Sequence, residues 1–187
     1  MQALDLGGRD DWPGLARMLA KLHRTRGPRF GWGNDNWIGL APQKNAWSDD
    51  WPEFFWTYRL LPQLSKANLN EEIDVKSFFR SYKPVPSLLH GDLWPGNVGF
   101  TPEGPVVFDP AVYFGDREAD LAMTELFGGF PEVFYSTYQE SFPLDIGYSQ
   151  RKHLYNLYHL LNHLNLFGSG YLGQVKETLR LLRDGFE

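Results

Sequence analysis

The sequence contains no cysteine, which excludes disulfide bonds, thiolate metal sites and cysteine nucleophiles. It also lacks a basic cluster, and its formal net charge of -5 argues against a nucleic-acid-binding protein. No apolar run approaches the roughly 20 residues that cross a bilayer, so we expect no membrane association. The first residues do not resemble a signal peptide, since no basic stretch precedes an apolar one. Together these absences predict a cytoplasmic protein.

Apolar and aromatic residues are abundant. Hydrophobic residues make up 42% of the 187 residues and aromatic residues 16%, including seven tryptophans, so we expect one domain with a dense core. Caps and helical periodicity predict helices at residues 11–24, 50–66, 71–82, 117–127, 131–141, 148–166 and 171–183. A turn between apolar segments 97–100 and 106–108 predicts a β-hairpin, and residues 26–50 form a long loop that is either functional or mobile. The fold class is therefore α+β, mainly α-helical around a small β-hairpin.

The motif that bears chemistry spans residues 90–97, His-Gly-Asp-Leu-Trp-Pro-Gly-Asn. Asp92 and Asn97 have the spacing of the base and the metal-binding Asn in the catalytic loop of protein kinases. A strand-like segment then leads to Asp109, the position of a second metal ligand. Each residue alone could be an ordinary turn former, but the three together favour phosphoryl transfer. We expect His90 to brace the loop through hydrogen bonds.

Longer stretches resemble the fructosamine-3-kinase (ketosamine kinase) family. The resemblance lies in residues 90–97, 108–122 and 154–168, with shorter similarities at 34–39 and 47–55, and it covers nearly the whole chain. The broader aminoglycoside and choline kinase group shares only the His-Gly-Asp to Asn skeleton and the later Asp. The loop around Trp94 and the sequence Gly-Asp-Arg-Glu-Ala-Asp at 115–120 are similar to ketosamine kinases in particular.

The resemblance implies ATP-dependent phosphorylation of the 3-hydroxyl of a ketosamine, either a small molecule or a glycated protein. It implies ATP and Mg²⁺ as cofactors, with Asp92 as the base and with Asn97 and Asp109 as Mg²⁺ ligands. Trp94 is a candidate to stack on the sugar, or else it is hydrophobic packing. Asp35 and Asn36 are weaker candidates for sugar contacts and could be turn formers only.

The resemblance also implies a C-terminal lobe of a protein-kinase-like (aminoglycoside phosphotransferase-like) fold. Residues 1–10 would be a remnant of the inter-lobe hinge and residues 11–187 the lobe that binds substrate and Mg²⁺. Nothing before Trp12 supplies a phosphate-covering loop or a strand lysine, so we expect little or no turnover from the chain alone. The alternatives are a non-catalytic sugar- or metal-binding module and an aminoglycoside or choline kinase relative. An exposed apolar patch near Leu4, Leu6 and the catalytic loop would favour self-association.

Two further clusters are interpreted as structural. His159 and His163 lie four residues apart, but Leu160 stands where a zinc protease needs Glu, so we expect a buried polar network. The charged residues at 116, 117, 118 and 120 are interpreted as caps and ion pairs that fix the metal-bearing loop, with Asp120 supporting the catalytic loop. The Leu, Phe and Tyr repeats of the last two helices are interpreted as core.

Overall fold

The structure, a computed structural model, describes residues 5–184. Leu4, part of the predicted apolar patch, therefore lies outside the described residues, while Leu6 is 53% exposed. The helices are α1 (Trp12–His23), α2 (Trp51–Phe55), α3 (Leu61–Lys66), α4 (Glu118–Leu126), α5 (Glu132–Ser141), α6 (Tyr148–Phe167) and α7 (Leu172–Asp184). Short 3₁₀ turns occupy Val75–Phe79, Pro95–Asn97 and Ser169–Tyr171, and a π-helical segment occupies Trp56–Leu60. The mainly helical α+β character is confirmed.

The strands pair into three separate two-stranded antiparallel sheets. They are β1 (Asn36–Ile38) with β2 (Ala41–Gln43), β3 (Ser87–Leu89) with β6 (Tyr113–Gly115), and β4 (Val98–Thr101) with β5 (Gly104–Val107). The predicted hairpin is confirmed as β4–β5. The β1–β2 hairpin was not predicted, because it lies inside the stretch 26–50 that the sequence analysis treated as a loop.

Helix α1 forms as its sequence predicts. The Asp11 side chain accepts a hydrogen bond from the Gly14 amide at 2.8 Å, which satisfies one of the free donors of the first turn. Leu15 and Leu19 are buried on one face and pack with Phe134 of α5 in a cluster of apolar side chains. The helix therefore closes one side of the core.

The predicted helix at 50–66 is confirmed as a continuous helical segment with a π turn in its middle. Pro62 has no amide hydrogen, so it cannot donate to the Tyr58 carbonyl four residues earlier. The Leu61 amide instead donates to the Trp56 carbonyl, five residues back. The free Tyr58 carbonyl accepts from the Arg59 guanidinium at 3.0 Å. The proline thus accounts for the widened turn.

The predicted helix at 71–82 is wrong. Asp74 caps a short 3₁₀ turn at Val75–Phe79 instead, and Ser77 both donates its hydroxyl to the Asp74 carbonyl and directs its amide to the Asp74 carboxylate. Such local side-chain bonds compete with regular helix. The four C-terminal helices, in contrast, begin and end within one residue of the predicted bounds.

The core consists of two clusters. The larger surrounds α6 and the segment from α2 to α3, and the smaller joins α1, α4 and α5. Leu93, inside the motif at 90–97, is fully buried in the smaller cluster, so the motif is anchored by its apolar residue. Within residues 5–184, no helix combines the length and apolar character that a membrane span requires.

Candidate active site

The motif at 90–97 forms a loop between β3 and β4. Gly91 has φ +83°, and a Cβ atom there would lie 2.1 Å from the Ala111 carbonyl oxygen. Only glycine combines this backbone conformation with such close approach. The Ala111 amide donates to the His90 carbonyl at 2.8 Å. The loop therefore lies directly against the segment that follows Asp109.

A buried carboxylate holds this loop in place. Asp120, in the first turn of α4, accepts hydrogen bonds from the amides of His90 (2.7 Å) and Gly91 (2.8 Å). The His23 Nε2 atom lies 3.1 Å from the same carboxylate. Burial alone would raise the pKa of Asp120, but the hydrogen bonds that its carboxylate accepts from His23 and from the Gly91 amide lower that pKa on balance. The predicted supporting role of Asp120 is confirmed.

The His90 ring braces the loop from within. Its Nε2 atom lies 2.9 Å from the Phe108 carbonyl, which can only accept, so Nε2 carries the proton. Nδ1 then accepts from the Asp92 amide at 3.3 Å. Both ring nitrogens are thus engaged with backbone, as the sequence predicted for this residue.

Asp92 is half-buried at the centre of the loop. Burial raises the pKa of its carboxyl to about 6, and the charges of Asp120 and Asp109 add to the rise, while a hydrogen bond from Asn97 opposes it. The Asn97 side-chain nitrogen donates to the Asp92 backbone carbonyl at 2.8 Å and approaches the Asp92 carboxylate at 3.4 Å. The Asn97 amide oxygen is therefore the atom left to bind another group.

Asp109 follows β5 with φ +53°, a left-handed conformation that is uncommon for residues other than glycine. Its side chain is exposed and lines the same cleft as Asp92 and Asn97. The strained backbone at the cleft is typical of residues placed for function. The structure thus brings together the three residues that spacing alone had grouped.

The cleft has a volume of about 540 Å³, within the usual range for small-molecule sites. Trp94 forms part of its wall and is 39% exposed, and its ring lies over Gly96, where a Cβ atom would meet the ring at 2.2 Å. Trp94 is therefore not core packing in this structure, and its indole is accessible from the cleft.

The structure does not bring Asp35 and Asn36 into the cleft. The Asp35 carboxylate pairs with Lys44 at 2.6 Å and accepts from the Asn45 amide at 2.9 Å. The Asn36 side chain donates to the Val112 carbonyl at 2.7 Å. Both residues are engaged in stabilising the β1–β2 hairpin, and their assignment to sugar contacts stays a prediction.

Several cleft residues were missed by sequence reasoning. They come from the tip of the β1–β2 hairpin and from the C-terminal end of α6, namely Trp37, Gly39, Leu40, Asn162, His163, Leu166 and Phe167. Phe167 is 63% exposed, so the interpretation of the α6 aromatics as core is wrong at this end of the helix. The only local sign was that Trp37 and Leu40 are hydrophobic residues beside Gly39 in a turn. Their position at the cleft depends on tertiary packing, which the local sequence does not show.

Of the three histidines of α6, His163 lies among polar and aromatic groups, whereas the Nδ1 atom of buried His159 has no hydrogen-bond partner among the described residues. The His163 Nδ1 atom bonds the His159 carbonyl at 2.9 Å, and the His163 ring packs on Phe127 at 4.5 Å. Gln63 donates to Asn162 at 3.1 Å, as expected for a buried polar network. Throughout the described part of the chain, no group of three or more His, Cys, Asp or Glu residues could hold a metal ion.

The charged residues around the start of α4 form a buried network. Glu118 pairs with Arg151 through two bonds of 2.7 and 2.9 Å, and Asp116 accepts from the Tyr155 hydroxyl at 2.6 Å. Burial raises the pKa of Glu118 to about 7 despite its pairing. The Arg117 guanidinium donates to the Tyr138 hydroxyl at 3.1 Å. These groups tie α4 to α5 and α6, while among the four only Asp120 has hydrogen bonds to the loop at residues 90–97 in the described structure.

The donor set fits one hard divalent cation. Asn97 and Asp109 offer an amide oxygen and a carboxylate to the cleft, and Mg²⁺ is usually held by one or two such protein ligands, with phosphates and waters completing its shell.

Comparisons with known proteins also indicate a kinase. A family model for fructosamine kinase matches residues 1–184. The chain is 48% identical over 185 residues to a Synechocystis sp. protein named "Probable ketoamine kinase", covering 93% of this chain and 63% of that protein. It is 39% identical over 166 residues to the ketosamine-3-kinase of Mus musculus, covering 82% and 54% respectively. A crystal structure from Haemophilus somnus, described as a putative fructosamine-3-kinase, matches with a TM-score of 0.89 at 33% identity, covering 97% of this chain and 66% of that one.

The fold is thus the kinase-like fold of that solved structure, with small sheets among its helices. The chain belongs to the fructosamine kinase family. It spans about three-fifths of the length of the curated relatives it matches.

Proposed function

We propose that this chain is the catalytic-loop lobe of a kinase that transfers phosphate from ATP to the 3-hydroxyl of a ketosamine. The observation that supports this most is the shared cleft of Asp92, Asn97 and Asp109. Membership of the fructosamine kinase family and the names of the relatives support the same reaction. Fructosamines and ribulosamines, free or on glycated proteins, are the proposed substrates.

Asp92 acts as the base in this proposal. A pKa of about 6 leaves the carboxylate ionised at neutral pH yet more basic than an exposed aspartate, and a base works best when its pKa lies near the operating pH. The carboxylate would orient the substrate hydroxyl and accept its proton. Asp120 and His90 act indirectly, by holding the backbone that carries Asp92.

Asn97 and Asp109 would hold Mg²⁺ through oxygen atoms. A magnesium ion so bound neutralises charge on the β- and γ-phosphates. The bond from the Asn97 amide nitrogen to the Asp92 carbonyl fixes which end of the side chain faces the cleft. Trp94 would stack on the sugar face, which its exposure in the cleft wall permits.

For the domain arrangement, we propose that residues 11–187 bind substrate and metal and that residues 1–10 lead from a nucleotide-covering lobe. The alternative is a non-catalytic sugar- or metal-binding module. Self-association through the apolar surface beside Leu6 is a further proposal, which sedimentation velocity would test.

Activity measurements separate these candidates. We would assay ATP-dependent phosphorylation of N-methyl fructosamine and N-methyl ribulosamine by the 187-residue chain. The same assay would use this chain fused to the N-terminal portion of the Synechocystis relative. We expect little turnover from the chain alone and clear turnover from the fusion. A folded fusion that binds ATP but transfers no phosphate would favour the non-catalytic module.

The Asp92→Asn substitution in the fusion tests the proposed base. Loss of a general base costs about 10²- to 10⁴-fold in kcat, and the asparagine retains the shape of the side chain. Glu103→Gln, which removes one negative charge from an exposed residue, serves as the control and should leave kcat unchanged. Undiminished activity of the Asp92→Asn fusion would refute the assignment.

A further inference from the structure

Acidic and exposed apolar residues both line the cleft. We call Asp92 and Asp109 the floor of the cleft and the exposed residues Trp37, Leu40 and Phe167 its rim. The rim side chains are 62%, 80% and 63% exposed, respectively, although they come from two distant parts of the chain. Single exposed apolar residues are common on protein surfaces, but several that converge on one concave site indicate a binding surface.

The rim is held in place by the protein. Gln43, at the base of the β1–β2 hairpin, donates to the Ala111 carbonyl at 3.1 Å and accepts from the Tyr158 hydroxyl at 2.8 Å. Gln43 also donates to Asn36 at 2.9 Å. These bonds join the hairpin that presents Trp37 to the segment that follows Asp109.

The other side of the rim is equally supported. Phe167 ends α6, and its ring lies 5.3 Å from the His163 ring and 6.3 Å from the Tyr171 ring. His163 itself lines the cleft, and burial lowers its pKa, so it is neutral at pH 7. The apolar wall therefore contains no positive charge at this end.

Charge in the cleft has one sign. Among the described residues that line it, Asp92, Asp109 and His163 are the ionisable ones, and no lysine or arginine is present. The carboxylates of Asp92 and Asp109 and the rings of Trp37 and Trp94 would attract a protonated secondary amine on a substrate. No lysine or arginine side chain among the described cleft residues is therefore available to pair with a carboxylate on the amine substituent.

We propose that Trp37, Leu40 and Phe167 bind the substituent on the amine nitrogen of the substrate and select an apolar group there. The inference rests on the proposed ketosamine kinase function. Phosphoryl transfer requires the sugar hydroxyl to reach Asp92 at the floor, so the group on the nitrogen extends towards the opening. There it meets the apolar rim, and a substituent that carries a carboxylate close to the nitrogen is disfavoured.

The test is calorimetric titration of the 187-residue chain, in magnesium-containing buffer, with three fructosamines that differ only on nitrogen. These carry methyl, benzyl and carboxymethyl groups. We expect the benzyl compound to bind about tenfold more tightly than the methyl compound, because its ring removes rim surface from water. The carboxymethyl compound should bind more weakly than the methyl one.

Substitutions at the rim should remove this preference selectively. Trp37→Ala and Leu40→Ala should reduce the ratio of benzyl to methyl affinity to about threefold or less, with little change for the methyl compound. Ile146→Ala is the matched control, because Ile146 is 99% exposed and is not among the cleft residues. It should retain the tenfold ratio.

The outcomes separate this inference from the function on which it rests. If none of the three compounds binds either to the chain or to the fusion described above, the proposed ketosamine function fails and the inference fails with it. If all three bind equally, or if the Leu40→Ala variant keeps the benzyl preference, the rim inference is overturned while the function stands. If Leu40→Ala converts a dimer to a monomer and leaves ligand preference unchanged, a second copy of the chain covers the rim and the inference is likewise overturned.

Discussion

The raised pKa of Asp92 has a measurable effect on stability. The carboxyl titrates near 3.8 ordinarily and at about 6 in the folded protein, a difference worth about 3 kcal/mol. Between these values the folded state binds more protons than the unfolded state, so the free energy of unfolding falls as pH rises through this window. Above pH 6 the protein keeps the full cost of an ionised, half-buried carboxylate.

The substitution Asp92→Asn removes that cost. We expect the variant and the wild type to have similar free energies of unfolding near pH 4, where the folded protein holds Asp92 protonated. At pH 8 the variant should be more stable by about 2 kcal/mol, less than the full 3 because water screens a half-buried group. The gain reflects the destabilisation that a charged group at a functional site imposes on the fold.

The measurement is urea denaturation, followed by tryptophan fluorescence, at pH 4.5, 6 and 8 and constant ionic strength. The dependence of the unfolding free energy on urea concentration must be the same for both proteins. Groups that lie far from Asp92 titrate identically in both proteins and cancel in the difference. Glu103→Gln controls for loss of one negative charge at an exposed position. A difference between Asp92→Asn and wild type that stays constant from pH 4.5 to 8 would refute the reasoning.

Two more substitutions test the packing around the site. Gly91→Ala should lower the free energy of unfolding by about 2–4 kcal/mol, since its φ is +83° and its Cβ would meet the Ala111 carbonyl. Gly173→Ala is the control, because Gly173 lies on helix α7 with open space around it. In the same thermal and urea melts it should be neutral or slightly stabilising. Equal effects of the two substitutions on stability would contradict this account. Arg151→Met should lower the free energy of unfolding by about 3–5 kcal/mol, because it leaves the buried Glu118 carboxylate unpaired. Adding Glu118→Gln to this variant should restore part of the lost stability. If the effects of the two substitutions simply add, the pairing is ruled out.

Local chemistry made part of this structure predictable. Asp11 caps α1 and Asp50 caps α2, each through its own side chain, and both starts were readable from sequence. The order of Asp92, Asn97 and Asp109 likewise predicted a common cleft, because their roles require defined spacing along one loop and the following strand. Signals of this kind extend over fewer than about twenty residues.

Long-range packing accounts for what was missed. Trp37 and Phe167 lie far apart in the chain. Both line the cleft because the β1–β2 hairpin and the end of α6 lie beside the loop at residues 90–97. The failed helix at 71–82 has a more local cause, as the hydrogen bonds between Asp74 and Ser77 outweigh a helical pattern of apolar residues. Neither the tertiary packing at the cleft nor the bonds between Asp74 and Ser77 can be recognised from the spacing of apolar residues in the sequence.

The bonds from His90 and Gly91 to Asp120 also tie the motions of the loop to those of the core. Both amide hydrogens are held by a carboxylate that is 2% exposed and that also contacts His23 of α1. Their exchange with deuterium requires the loop to separate from α4. The exchange rates of these two amides therefore report how often the loop at residues 90–97 separates from α4, and they can be measured without any substrate.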